Sequence, residues 1–259
     1  MNQYALITGG ASGLGKDLSI LFAQRGISLF LVSSNIKNLE AAKSEIEKEY
    51  QVDVHILALD LTNPSNFHLV KEYSDSNNLD IRYLVNCAGF GDQCEFKDMD
   101  IEKQIKMVEL NDNCPMYLMN AYINDFLKKE GTCYILNVAS VASFFPGPHM
   151  CTYHASKAFL LNISEAIRRE LKGTNVSVST ICPGPFESGF VSKAHNDYVF
   201  ETSKVLTSRK VAEISMKLMD SKKTFKVIGF KNKMNIFLSR FFSRDFVTNG
   251  AAKSLKKNG

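Results

Sequence analysis

Apolar residues along this chain follow two alternating rhythms. Short runs rich in β-branched residues, at Tyr4–Thr8, Ser28–Ser33, Val54–Ala58, Tyr83–Asn86, Cys133–Val138, Val176–Ile181 and Thr224–Ile228, predict strands. Between them, apolar positions recur at helical spacing over about 13–25, 36–49, 64–76, 101–129, 153–172 and 208–219. Strand and helix in strict turn predict an α/β fold, a parallel sheet covered by helices on both faces. Gly26 and Gly173 fall where helices should end, and Pro64 where one should begin. No repeat, low-complexity tract or linker interrupts the pattern, so residues 1–259 read as a single domain. One stretch lacks a clear period, 183–206, which follows the sixth strand and carries Phe186, Phe190, Tyr198 and Phe200. A segment leaving the carboxyl end of a strand is well placed to close over a ligand, and this one is the expected substrate loop.

Composition narrows the class without changing it. A chain of 259 residues, 45% hydrophobic and 22% charged, has the balance of a globular protein with one sizeable core. The strand signal starts at about Gln3 and no apolar run is long enough to span a bilayer, so the expectation is a cytoplasmic protein without a leader. Six scattered cysteines, with no CxxC pair and no histidine at ligand spacing, predict reduced, mostly buried thiols and no metal site. The net charge of +4 is unevenly spread: from Lys222 onward there are ten lysines and arginines against one acid, Asp245. Within this tail, Met234, Phe237, Leu238, Phe241 and Phe242 recur at helical spacing among Lys231, Lys233, Arg240 and Arg244. The region 231–259 therefore reads as a basic amphipathic extension. Packing on the core or on a second subunit is the first reading, contact with an anionic membrane surface the alternative, and no nucleic-acid partner is expected.

Chemistry enters at the first strand, which runs directly into Thr8-Gly9-Gly10-Ala11-Ser12-Gly13-Leu14-Gly15. Glycines at a strand-to-helix turn let backbone N–H groups approach a phosphate, whose charge the helix dipole favours. Gly10 to Lys16 also reads as the start of a P-loop, but that motif needs a Ser or Thr where this chain has Asp17. A carboxylate there would repel a triphosphate. After the second strand, where an acid would select a free ribose hydroxyl, the chain offers Ser33, Ser34 and Asn35, with Lys37 nearby and no acid before Glu40. NADP(H) is favoured, with NAD(H) as the alternative. Asp60, ending the third strand, is placed to meet an adenine edge or to cap the following turn.

Further along, Tyr153 has Lys157 one helical turn later, and Ser140 lies at the end of the fifth strand. Residues i and i+4 share a helix face, and a nearby ammonium favours a phenolate, so Tyr153 is expected below its ordinary pKa of about 10. That is the profile of a general acid/base, with Ser140 able to hydrogen-bond the same substrate oxygen. Asn111 precedes Pro115 by four residues, so an α-helix there would leave the Asn111 carbonyl without its donor. It could hold a water linked to Lys157; a simple proline kink is the alternative.

With these motifs assembled, the chain resembles the short-chain dehydrogenase/reductase family. The resemblance covers nearly the whole chain and rests on Thr8–Gly15, Asp60-Leu61, Asn86-Cys87-Ala88-Gly89, Asn111, Ser140, Tyr153-His154-Ala155-Ser156-Lys157 and Pro183-Gly184. Residues 137–159 and the stretch from Cys182 look closest to a bacterial branch of general oxidoreductases, those resembling the DltE-type proteins. The resemblance implies a single-domain Rossmann fold with a seven-stranded parallel sheet ordered 3-2-1-4-5-6-7. It implies Tyr153 as general acid/base and Lys157 as the group that lowers its pKa and holds the nicotinamide ribose. Ser140 would polarise the carbonyl and Asn111 would maintain a water relay. Gly9, Ser12, Gly13, Leu14 and Gly15 would cradle a pyrophosphate, and Leu61 would stand beside Asp60 at the adenine. Asn86, Ala88 and Gly89 would flank the adenosine ribose, while Pro183, Gly184 and Ser188 would meet the nicotinamide side. Two departures from the family pattern stand out: Cys87 replaces a usual asparagine, and Ser34 the usual arginine of NADP-dependent relatives. The expected function is interconversion of a carbonyl and a secondary alcohol on a small or medium substrate. The expected assembly is a homodimer or homotetramer through the helices at 101–129 and 153–172. A dinucleotide-sensing interaction protein is the non-enzyme alternative.

Overall fold

The computed structural model describes residues 2–187 and 206–255. Ser188, Phe190, Tyr198 and Phe200 lie outside them, as does the end of the tail. Seven strands form one fully parallel sheet: β1 (Gln3–Thr8), β2 (Ser28–Ser33), β3 (Val54–Ala58), β4 (Asp80–Asn86), β5 (Cys133–Val138), β6 (Val176–Cys182) and β9 (Phe225–Val227). Their order is β3-β2-β1-β4-β5-β6-β9, the expected one, the chain reversing direction across the sheet between β1 and β4. All seven residues of β6 and all but the first of β1 are buried, which is why these strands read as continuous apolar runs. One face is covered by α1 (Gly13–Ala23), α2 (Ile36–Glu49) and α7 (Ser208–Asp220), through Leu18, Phe22, Leu39, Ile46 and Met216. The other is covered by α3 (Phe67–Ser76), α5 (Cys114–Leu127) and α6 (Cys151–Glu170), through Val70, Leu118, Tyr122, Phe126 and Ile163.

The boundaries follow local chemistry. Gly26 and Gly173 have φ of 72° and 91° just past their helices, as the sequence predicts. Pro64 opens a 3-10 turn over Pro64–Asn66, capped by Asn63, and α3 begins only at Phe67. The expected continuous helix over 101–129 is replaced by α4 (Ile101–Val108), a five-residue π-helical turn (Glu109–Asn113) and α5. In that turn the Cys114 N–H donates to the Glu109 carbonyl, and Pro115, which has no N–H to donate, falls in the first turn of α5. Two short strands, β7 (Phe186–Glu187) and β8 (Leu206–Thr207), pair with each other on either side of the expected substrate loop. The tail forms two helices rather than one, α8 (Phe230–Ser239) and α9 (Arg244–Leu255). No helix among the described residues is long and apolar enough to cross a membrane.

A buried amide pair locks the central strands in register. Asn86 and Asn137 are partners across β4 and β5, and Asn86 Nδ2 donates to Asn137 Oδ1 at 2.8 Å. Asn137, with no exposed surface, donates in turn to Ser164 Oγ of α6 at 2.7 Å. Replacing it by leucine leaves Asn86 Nδ2 without its acceptor, at about 1–3 kcal/mol, and removes one of the two bonds of Ser164 Oγ, which still donates to Leu160 O, at about 0.5–1.5 kcal/mol. Asn137→Leu is therefore expected to lower unfolding free energy by ~2–4 kcal/mol in urea denaturation; an unchanged midpoint would show that the pair is not structural.

Candidate active site

The carboxyl ends of the strands open into a cleft of about 1450 Å³, larger than the ~300–1,000 Å³ of ordinary ligand pockets. At one end lies the glycine-rich turn. A Cβ on Gly15 would stand 2.1 Å from the Gly9 carbonyl oxygen, so only glycine lets α1 begin this close to β1. Ser12, preceding α1, makes no side-chain cap bond, whereas α2, α4 and α7 are capped by Asn35, Asp100 and Thr207. The first-turn N–H groups of α1 are thus left for an anion at the positive end of its dipole. Thr8 Oγ1 accepts from the N–H groups of Cys87 and Ala88, both at 3.1 Å, tying the end of β1 to the loop that follows β4.

The P-loop reading fails here on geometry as well as on residue type. Lys16 Nζ pairs with Glu45 at 2.6 Å on the surface, and Asp17 accepts a hydrogen bond from Ser208 at the start of α7.

At the other end, Tyr153, Ser140, Lys157 and Asn111 come together. Ser140 is fixed as the cap of a short 3-10 turn, its Oγ accepting from Ala142 N at 3.1 Å, and it shares a hydrogen bond with the half-buried Tyr153. Lys157, 5% exposed, donates to the Val138 carbonyl at 3.0 Å, with its ammonium 5.9 Å from the Tyr153 ring centre. The π-helical turn presents the Asn111 side chain: Nδ2 donates to Phe90 O and to Ser156 Oγ, both at 3.0 Å, and Oδ1 accepts from Phe90 N at 3.2 Å. Ser156 Oγ donates to the Tyr153 carbonyl at 2.8 Å. Gly89 fits between them: a Cβ there would lie 2.8 Å from Asn111 Oδ1 and 3.3 Å from Lys157 Nζ.

One expectation is reversed. Tyr153 is not held below its ordinary value; burial pushes it up to about 12, and the hydrogen bond with Ser140 works the other way. Burial lowers Lys157, against the attraction of Asp112. The i,i+4 spacing brings the two side chains near each other, but the ammonium is committed to a backbone carbonyl and the phenol loses more from burial than it gains.

The remaining expected residues divide clearly. Gly9, Ser12, Gly13, Leu14, Gly15, Ser33, Ser34, Asp60, Leu61, Ala88, Gly89, Pro183 and Gly184 line the cleft. Asp60 also takes its alternative role, accepting from Thr62 N and Oγ1 at 2.9 and 2.8 Å. Asn35 instead caps α2, accepting from Asn38 N at 3.1 Å, and it is Asn38 that faces the cleft. Asn86, turned towards Asn137, is buried behind the lining rather than in it. All six cysteines are free, three buried and three half-buried, and no group of potential metal ligands occurs among the described residues.

A profile described as short chain dehydrogenase matches residues 3–198. The chain belongs to the short-chain dehydrogenase family. This short-chain dehydrogenase is 30% identical over 189 residues to a very-long-chain 3-oxoacyl-CoA reductase of Vanderwaltozyma polyspora, covering 69% of this chain and 54% of that one. It spans about half the length of the reductases of that name that it matches. Over 184 residues it is 30% identical to an uncharacterized oxidoreductase of Staphylococcus epidermidis, covering 70% and 77% of the two chains. A short-chain dehydrogenase from Sphingobium yanoikuyae, solved in complex with NADPH, superposes with a TM-score of 0.83 at 26% identity, covering 93% of each chain. The family's NAD(P) dinucleotide fits the residues present: an uncapped helix start for the pyrophosphate, and an uninterrupted cleft from there to Tyr153.

Sequence reasoning missed Asp112. It is buried beside Asn111 with Oδ1 unpartnered among the described residues, and burial raises its pKa from 3.8 to about 7, with Lys157 pulling it down. An acid raised in the folded chain holds its proton more tightly than in the unfolded one. The stability it contributes is full below pH 3.8 and lost as pH rises through about 7. After discounting for solvent screening, Asp112→Asn is expected to stabilise the protein by ~1–2 kcal/mol at pH 8 and by almost nothing at pH 4. Urea titrations at the two pH values check this; equal effects at both would remove Asp112 as a titrating group.

Proposed function

We propose that this protein is an NADP(H)-preferring oxidoreductase that interconverts a carbonyl and a secondary alcohol, with Tyr153 as general acid/base. The observation that carries the proposal is the hydrogen-bonded Ser140–Tyr153 pair, with Lys157 on the same helix face, in one cleft with an uncapped glycine-rich helix start. The dinucleotide, when bound, supplies or accepts a hydride. In reduction, Tyr153 and Ser140 hydrogen-bond the substrate oxygen and raise the electrophilicity of its carbon. Tyr153 then passes its proton to that oxygen, leaving a phenolate that the Lys157 ammonium stabilises. Asn111 holds the Phe90 backbone and Ser156 in position, and we assign it the relay through which Tyr153 is reprotonated. Its backbone carbonyl lies in the widened turn rather than in a kinked helix, which supports a built role for the position.

Preference for NADP(H) rests on the end of β2, where Ser33, Ser34 and Asn38 line the cleft and no carboxylate follows before Glu40. Ser188, outside the described residues, is assigned by the family resemblance to the nicotinamide side. The likeness of residues 137–159 to the DltE-type branch supports a general oxidoreductase. Exposed Ile101, Ile105, Met116, Tyr117 and Phe159 on α4, α5 and α6 support a homo-oligomer through those helices.

Purified protein is expected to oxidise NADPH with a panel of ketones, aldehydes and diketones, with kcat/KM at least about tenfold above that for NADH, as ~1.4 kcal/mol of selectivity gives. Tyr153→Phe should cut turnover by ~10²–10⁴-fold while NADPH still binds. Cofactor binding without turnover in the wild-type protein would favour the sensing role instead.

A further inference from the structure

The tail is part of the site. α8 is anchored to the body by Ile236, packed with Ala139, Leu161, Cys182 and Val227, and by Asn232, whose Nδ2 donates to Ile228 O at 2.8 Å and sits over Gly184. α9 buries no residue of its own, yet its end is tied across the cleft mouth, where the Leu255 carbonyl accepts from Gln93 Nε2 at 2.6 Å. Leu238, Phe242, Phe246, Val247, Ala251 and Leu255 from these two helices line the same cleft as Tyr153. The tail's described lysines and arginines do not: Lys231, Lys233, Arg240, Arg244 and Lys253 are absent from the lining. Phe242 and Phe246 stack on each other, ring centres 4.7 Å apart at 24°, and remain 51% and 61% exposed. A paired aromatic surface inside a ligand cleft, left open to solvent, has no apolar cover among the described residues beyond its own stacking.

We propose that this surface holds the apolar body of the substrate, so that the carbonyl compound reduced at Tyr153 carries an extended hydrocarbon portion lying along α8 and α9. The inference rests on the carbonyl chemistry proposed above and adds the substrate's class. One cleft holds both Tyr153 and Phe246, and no described charged side chain of the tail lines it, so a chain leaving the reacting carbon has an apolar wall to follow towards the phenylalanine pair. Burying each further methylene against this wall is worth up to about fourfold in affinity, the ~0.8 kcal/mol of its transfer from water.

The test is a series of 2-alkanones from four to twelve carbons, assayed with NADPH on the full chain and on Phe242→Ser/Phe246→Ser. Calorimetric binding of the matching 2-alkanols gives a readout independent of turnover. In the wild-type protein kcat/KM should rise about two- to fourfold per methylene, mainly through KM. In the variant the loss should grow with chain length and flatten that slope. Leu238→Ser, on the better anchored α8, should flatten it as well, which guards against a local collapse of α9. Turnover without a chain-length slope, or a slope the variants leave intact, overturns the inference and spares the carbonyl chemistry. Alkanol binding that weakens in the variants, with no turnover of any ketone, keeps the apolar site and refutes the oxidoreductase. Co-sedimentation with anionic vesicles that the double variant abolishes, its slope intact, would give the face to a lipid surface and overturn the inference.

Discussion

A buried ammonium sets the terms for everything around it. Lys157 is almost wholly removed from water, and a bare charge in that position would cost several kcal/mol without close partners. The fold supplies them unevenly. The Val138 carbonyl at the end of β5 accepts one hydrogen bond, and Asp112 stands by as a carboxylate whose own ionisation is held back by burial. The phenol of Tyr153 lies near enough to feel the charge but is itself driven towards the protonated form. The free protein thus holds a neutral acid beside a cation, poised to donate rather than to accept.

That arrangement depends on the helix face opposite. A regular helix through 101–129 would meet Pro115 in its interior; the chain instead widens into a π-helical turn and restarts the helix with the proline in its first turn. Widening turns Asn111 towards the Phe90 backbone and Ser156, and brings Asp112 into the interior. Gly89 then passes between Asn111 and Lys157 so closely that a Cβ there would push the Asn111 amide out of place. Strand ends, turn and α6 are mutually fitted, and the Asn86–Asn137 pair keeps the strand ends from sliding.

Much of this was legible in the sequence because it is local. Strand runs such as Cys133–Val138 are bounded by turn residues, and the seven strands of the main sheet match the expected runs to within a few residues, whereas β7 and β8 correspond to no expected run. The turn at Gly9–Gly15 needs glycine for contacts within itself, and the Tyr153–Lys157 spacing guarantees a shared face. What escaped is what the rest of the fold decides. Asn35 and Asn38 are equally suited to a cap or a cleft, and only the path of α2 assigns them. Proximity of an ammonium predicts a lowered phenol, but burial, a property of the whole packed chain, reverses the sign. The aromatic spacing in the tail announced an amphipathic helix, yet a break between Ser239 and Arg244 folds it across the cleft, and no periodicity tells which surface an apolar face will meet.

The chemistry of the site turns on the protonation state of Tyr153. The most direct measurement is a pH titration of ¹³Cζ-labelled tyrosine by NMR, the Tyr153 signal assigned by its loss in the phenylalanine variant. In the free protein this resonance should stay that of a phenol through pH 10, because burial pushes the group up to about 12. A phenolate already present near neutral pH would contradict it, and would mean that Lys157 outweighs burial before any ligand arrives.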